Sequence, residues 1–292
     1  MRRRTVTLLT GVSAVALIAV SLFAAPSATA GKDPMREQMS AVPAVRHVPR
    51  TASSYPFAAA DHARVPLDLA TYGYVEEEFF LTGYANVYTK ASGRLAVKRT
   101  AVPYTNRILV RHPARASKAS GVVFVDIYNA SNGYDIEDMW RRLYTNILEQ
   151  GHTYVGVTTK PINVDALYNF DHDRYRDLSW FDSAACRASY EPTGDAAEFT
   201  ARGGAWADVP CMESGLVWDI LTQTANALRD RKAGREILGR TPLKSVFLIG
   251  QSQSGLYLNT YVNNFHSAVR KAHHGENAYD GYLTAAGGWL ER

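Results

Sequence analysis

Leu248-Ile249-Gly250-Gln251-Ser252-Gln253-Ser254-Gly255 runs from an apolar segment straight into a helical pattern, with serines at the turn. A strand that turns sharply into a helix pushes the hydroxyl of the turn serine out above the sheet, which is the layout of a nucleophile elbow. Such a turn wants very small residues two before and two after the serine. Gly250 satisfies the first position, and Ser254 holds the second with Gly255 behind it. Ser252 is therefore the candidate nucleophile. Ser254 in that role would place Ser252 and Leu256 at the crowded positions, a poorer fit. A small-residue turn that binds an anion at a helix N-terminus would use the same residues.

The flanking sequence supplies the strand–helix alternation that such a turn needs. Val122 to Tyr128 is a nearly continuous apolar run, as in a parallel strand covered on both faces. Ile136, Met139, Trp140, Leu143, Ile147 and Leu148 then recur at helical spacing, predicting a helix over 135–150 that stops at Gly151. Strands follow at 152–158, 245–249 and 279–286, and helices at 212–229 and after the elbow. Alternation of this kind predicts an α/β fold with a mostly parallel sheet flanked by helices. Residues 160–210 break the rhythm and are expected to form a wall or lid of the site.

An attacking serine also needs donors for the developing oxyanion. One is the N–H of the residue after the nucleophile, Gln253. The loop after the 122–128 strand is placed to give another, from Asn129 or Ala130. An ordinary Asn/Gly turn that caps the next helix is the alternative for Asn129 to Gly133.

Earlier in the chain, 75–88 reads as a strand or hairpin broken at Gly83, and 107–111 as a strand ending at Pro113. Glu76, Glu77 and Glu78 are read as alternating toward solvent rather than as a metal or acid site. Residues 31–70, rich in Ala, Pro, Arg and Ser, read as a loosely ordered extension, leaving 71–292 as the folded domain.

Residues 1–30 read as a signal peptide. Arg2 to Arg4 precede an apolar run from Leu8 to Ala25, and Ala28-Thr29-Ala30 offers a cleavage site. The run is at the short limit of a spanning helix, so a secreted, extracellular protein with no lasting membrane anchor is expected. Without the three arginines, 29 basic residues face 28 acidic ones, which gives no electrostatic case for nucleic acid. Cys186 and Cys211, 25 positions apart, make one plausible disulfide worth roughly 3 kcal/mol by the loop-entropy argument, with two buried thiols as the alternative. No CxxC or HxxxH spacing occurs, so neither a metal nor a cofactor is expected.

The general base is the difficulty. Five of the eight histidines precede the elbow. His266, His273 and His274 fall on a helix and a polar connection, where surface histidines are usual. Asp280 opens a strand and reads as structural. Glu291 has no histidine after it.

Several blocks together resemble bacterial alpha/beta hydrolase domain proteins: EEEFFLTGYANVY at 76–88, RILVRHP at 107–113, VFVDIYNASNGYD at 123–135, YVGVTTK at 154–160, DHDRYRDLS at 171–179, WDILTQTANALR at 218–229 and GQSQSG at 250–255. The resemblance covers about 74–290 and implies the alpha/beta hydrolase fold and an esterase-like serine hydrolase acting on small-molecule esters through Ser252. It also implies a longer C-terminus carrying the triad acid and histidine, so that 40 residues after Ser252 look truncated. A catalytically inactive remnant or binding module is the alternative. Truncation there would leave the 279–286 strand as an exposed sheet edge open to self-association.

Overall fold

The computed structural model describes residues 33–192 and 209–288, which belong to one unit spanning 31–292. The expected signal peptide, part of the 160–210 excursion and Glu291 lie outside the described residues.

Strand β4 (Val122–Ile127) lies between β5 (Thr153–Val157) and β6 (Ser245–Gln251), parallel to both. Val125 stands opposite Val155 on one side and Leu248 on the other, and all three are fully buried. The pleat sends alternate residues of β4 to different layers. Val123, Val125 and Ile127 join one core with the helices around the elbow. Phe124 and Tyr128 pack on the other side with Trp140, Ile147 and Leu148. This two-sided burial explains the unbroken apolar run.

Strand β7 (Gly281–Ala285) pairs with β6 in parallel and is the outer strand on that side among the described residues. On the opposite side β5 meets β3 (Arg94–Pro113), β3 meets β2 (Tyr74–Ala91) and β2 meets β1 (Ala44–Val48), each antiparallel. The order is β1-β2-β3-β5-β4-β6-β7. Two reversals return β2 to the direction of β5, so only β1 and β3 oppose the other five strands. The mostly parallel α/β sheet read from the sequence is the sheet observed.

The helices are α1 (Pro34–Met39), α2 (Asp138–Gln150), α3 (Pro161–Phe170), α4 (His172–Tyr175), α5 (Ala184–Ser189), α6 (Val217–Arg229), α7 (Arg231–Leu238), α8 (Gln253–Asn264) and α9 (His266–Ala272). The apolar faces of α2 and α6 are those expected from periodicity; Ile220, Leu221, Ala225 and Leu228 of α6 are buried. Helix α7 follows α6 after one residue. Asp230 ends α6 and caps α7, accepting from the backbone N–H groups of Lys232 and Ala233. A disulfide joins Cys186 to Cys211. No helix among the described residues is long and apolar enough to cross a membrane.

The first half departs from the sequence reading in three respects. Strand β2 runs through Gly83 unbroken, and the irregularity falls at Ala85–Tyr88, where the Asn86 side-chain Oδ1 accepts from the Ala101 N–H at 3.1 Å. Strands β2 and β3 continue to a two-residue turn, Ser92-Gly93, with positive φ at both positions, as a right-twisted hairpin requires. The stretch read as a loose extension contains α1 and β1, and β1 adds a strand to the sheet.

The three glutamates alternate as a strand dictates, but only Glu77 faces outward, meeting His112 at 2.9 Å. Glu78 is buried between Arg107 (2.5 Å) and Arg174 (2.6 Å). Glu76 pairs with Arg111 at 2.8 Å, which also reaches Glu137 at 2.7 Å, and Arg107 reaches Asp135 at 2.9 Å. Burial works against the Arg107 guanidinium, yet Tyr175 and Glu78 beside it hold its pKa above the ordinary value. The same arginines donate to main-chain carbonyls of the preceding segment: Arg174 to Val48 and Pro49, Arg107 to Phe57, and Arg111 to Ala58.

Candidate active site

Ser252 sits between β6 and α8 with φ 55° and ψ −118°. A non-glycine residue there costs on the order of 1–3 kcal/mol and persists only where its surroundings force it. Two close approaches supply the force. A Cβ on Gly250 would lie 2.7 Å from the Ser254 carbonyl oxygen, so the first turn of α8 folds directly over the strand end. A Cβ on Gly255 would lie 2.8 Å from the Gly287 Cα, so α8 also presses on the chain leaving β7. The second crowded position is thus Gly255, one residue beyond the expected Ser254. Ser254 is buried, and its hydroxyl has no partner among the described residues. The Ser252 N–H donates to Ala285 O at 2.9 Å, and its carbonyl accepts from Leu256 at 3.0 Å, which fixes both sides of the turn.

The loop after β4 lies against this turn. The Asn129 N–H, one of the donors the sequence offered, is turned to Ile136 O at 3.2 Å, away from the elbow. The Asn129 side chain instead holds the loop on the elbow, donating from Nδ2 to Gln251 O at 3.2 Å and accepting from the Ser131 N–H at 2.7 Å. The Ala130 N–H points at the elbow and donates to the side-chain Oε1 of Gln253 at 2.9 Å. Ala130 and Gln253 are both buried. Of the two loop residues the sequence offered, only Ala130 aims its amide at the turn.

Lys160 is the residue the sequence reading passed over. It follows β5 at the carboxyl end of the parallel strands, where open α/β sheets form their sites. Its Nζ donates to Tyr128 O at 3.2 Å and sits 4.2 Å from the centre of the Tyr257 ring on α8. Thr159 donates to the same carbonyl at 2.9 Å. The Tyr128 carbonyl immediately precedes the Asn129–Ala130 loop, so Lys160 braces that loop from below. Asp135 is already engaged by Arg107, Thr158 and Asn163. Burial pushes the Lys160 ammonium down to about 7, with Asp135 opposing weakly. The signal in the sequence was a lysine placed directly between an apolar strand and Pro161.

The histidines after the elbow are occupied elsewhere. His266 meets the Tyr282 hydroxyl at 2.8 Å, His273 meets Met39 O at 2.8 Å, and His274 meets Arg36 at 2.7 Å. Asp280 is structural, as read: it accepts from Arg229 and from the Val246 N–H at 2.7 Å each. Among the described residues, no group of three or more His, Cys, Asp or Glu is arranged to hold a metal.

A strained serine at a β-to-α turn, with the neighbouring parallel strand's loop laid against it, defines an elbow-bearing α/β protein. The chain belongs to the alpha/beta hydrolase domain family, whose profile matches residues 40–292. Among solved structures it is similar to the rice cell wall degrading esterase LipA from Xanthomonas oryzae, at 16% identity over 73% of this chain and 42% of that one, with a TM-score of 0.34. It is similar to esterase B from Lactobacillus rhamnosis at 13% identity, over 73% of this chain and 48% of that one, TM-score 0.32. Acetyl xylan esterase 1 from Thermoanaerobacterium sp. JW/SL YS485 follows at 11%, over 76% and 49%, TM-score 0.33. The chain spans less than half the length of each of these three structures. No curated protein matches.

Proposed function

We propose that this chain is an exported, esterase-like serine hydrolase with Ser252 as its nucleophile. The observation that carries the reading is the Ser252 backbone, held at φ 55° where the strand turns into α8. In this reading Ser252 Oγ attacks the carbonyl carbon of a small carboxylic ester. Negative charge develops on the carbonyl oxygen, and the main-chain amides of Gln253 and Ala130 are the donors that receive it. The C–O bond to the alcohol then breaks, the alcohol leaves with a proton, and water releases the acid from Ser252.

The three histidines that follow the elbow, His266, His273 and His274, are engaged with other partners, so the reading assigns the base of Ser252 to none of them. Export rests on the apolar run behind Arg2 to Arg4 and on the Cys186–Cys211 bridge, since disulfides persist in oxidising compartments. An alkyl fluorophosphonate tests the nucleophile on the full chain. The expected result is one phosphonyl adduct on Ser252 by peptide mass spectrometry, lost in Ser252→Ala. A folded preparation that takes no label at Ser252 overturns it.

A further inference from the structure

We infer that the side chain of Gln253 is a positioning residue that withholds the Ala130 amide from neutral ligands and yields it to an oxyanion. The inference rests on the reading of Ser252 as nucleophile. It goes beyond that reading because there Gln253 contributes only its main-chain N–H.

Ala130 has one amide proton, and it is donated to Gln253 Oε1, with nitrogen and oxygen 2.9 Å apart. The contact is removed from water, with Ala130 0% and Gln253 4% exposed. A substrate oxygen cannot receive the Ala130 N–H until the glutamine oxygen has given it up. Gln253 is not what seats the loop. Asn129 does that independently, through Nδ2 to Gln251 O at 3.2 Å and through the paired main-chain bonds between Asn129 and Ile136. Below the loop, Lys160 and Thr159 hold the Tyr128 carbonyl. Loss of the Gln253 side chain therefore uncovers the amide and leaves the loop in place.

The competition is decided by acceptor strength. An ester carbonyl is a neutral acceptor, no stronger than the amide oxygen it must displace. An oxyanion forms charge-assisted hydrogen bonds of roughly twice the strength. The exchange is therefore unfavourable in the ground state and favourable as charge develops. A donor gated in this way binds the transition state in preference to the substrate, the differential that accelerates a reaction.

Two substitutions at the same position give opposite results. Gln253→Met keeps the volume and removes the acceptor. Gln253→Glu keeps the shape and offers a charged acceptor that grips the amide harder. The readout is the second-order rate of Ser252 labelling by an alkyl fluorophosphonate, in which the Oγ–P bond forms, the P–F bond breaks, and fluoride and the serine proton pass to solvent. The phosphoryl oxygen needs the hole before charge has built up. Gln253→Met is therefore expected to label about threefold to tenfold faster than the parent, the equivalent of one neutral hydrogen bond, and Gln253→Glu slower. A simple strut would not speed labelling when removed. A Gln253→Met rate equal to or below that of the parent, in a protein with parental thermal unfolding, overturns the inference.

Amide hydrogen exchange at Ala130 gives a second readout that does not need Ser252 to react. It should be slow in the parent and several-fold faster in Gln253→Met, with Gly133, which donates to Ala130 O, unchanged. If the parent takes no label at all, the nucleophile reading fails and exchange decides the latch: release in Gln253→Met upholds it. An Ala130 amide already fast in the parent, or one unmoved by Gln253→Met, overturns it.

Discussion

In the antiparallel half of the sheet, Arg107, Arg111 and Arg174 are buried, and each touches at least one buried carboxylate. Around the parallel strands, Lys160 and Asp219 are as deeply buried and form no ion pair among the described residues. Lys160 rests on a carbonyl and a ring. Asp219, on α6, accepts from the Asn86 N–H and the Tyr88 hydroxyl at 2.7 Å each. The paired guanidiniums of Arg107 and Arg111 are held above their ordinary pKa against burial, whereas these two are driven toward neutrality. Burial pushes Asp219 up to about 7, against its hydrogen bonds from Asn86 and Tyr88. At the same depth, a charged partner within reach separates these two arginines from Lys160 and Asp219.

The largest effect should follow from breaking the paired region. Glu78→Ala leaves Arg107 and Arg174 facing each other without their shared carboxylate, and should destabilise the chain by about 3–5 kcal/mol in urea titrations. A loss under about 1 kcal/mol would show that the lattice does not hold this half together.

Lys160→Met tests the other side. Its folded pKa lies below the unfolded value, so the penalty for a buried ammonium is complete below about 7 and fades as pH rises toward 10.5. The variant should be more stable than the parent by roughly 2 kcal/mol at pH 6, with the advantage shrinking through pH 8 to 10. An advantage that does not change with pH would mean that the lysine is not held near neutrality.

Asp219→Asn should show the mirror image. A folded pKa raised from 3.8 to about 7 makes the parent lose stability as pH rises between those values. The variant should therefore gain on the parent across that window, reaching about 1–2 kcal/mol at pH 8. Melting curves at pH 4.5 and 8 that give the same difference would break the contrast. The smallest effect belongs to the elbow. Ser252→Gly relieves the positive φ and should raise stability by about 1 kcal/mol in chemical denaturation while removing the reactive hydroxyl. A destabilised Ser252→Gly would mean that the turn is not strained.

The elbow and central strands were legible because they depend on local pattern. Gly250 and Ser252 at fixed spacing, and the apolar run of β4, are consequences of the neighbouring few residues. The fate of Glu76 and Glu78 was not legible in this way. The alternation was visible, but the arginines that make the inner face habitable lie 29, 35 and 96 positions away. Asn129 and Ala130 could not be told apart because composition does not say which amide turns inward; the bridge to Ile136 takes up that of Asn129. Helix α7 was missed because a single residue, Asp230, serves as both stop and start signal.

The grip of the three buried arginines on the carbonyls of residues 48–58 has a consequence for the order of events during synthesis. Arg107 lies 50 positions after the carbonyl of Phe57, Arg111 lies 53 after Ala58, and Arg174 lies 125 after Pro49. The segment at 48–58 therefore gains the first of these anchors when β3 is made and the last only when residue 174 of 292 has been added. Its attachment closes in two steps, first from β3 and then from α4. The beginning of the chain is sewn in from its middle.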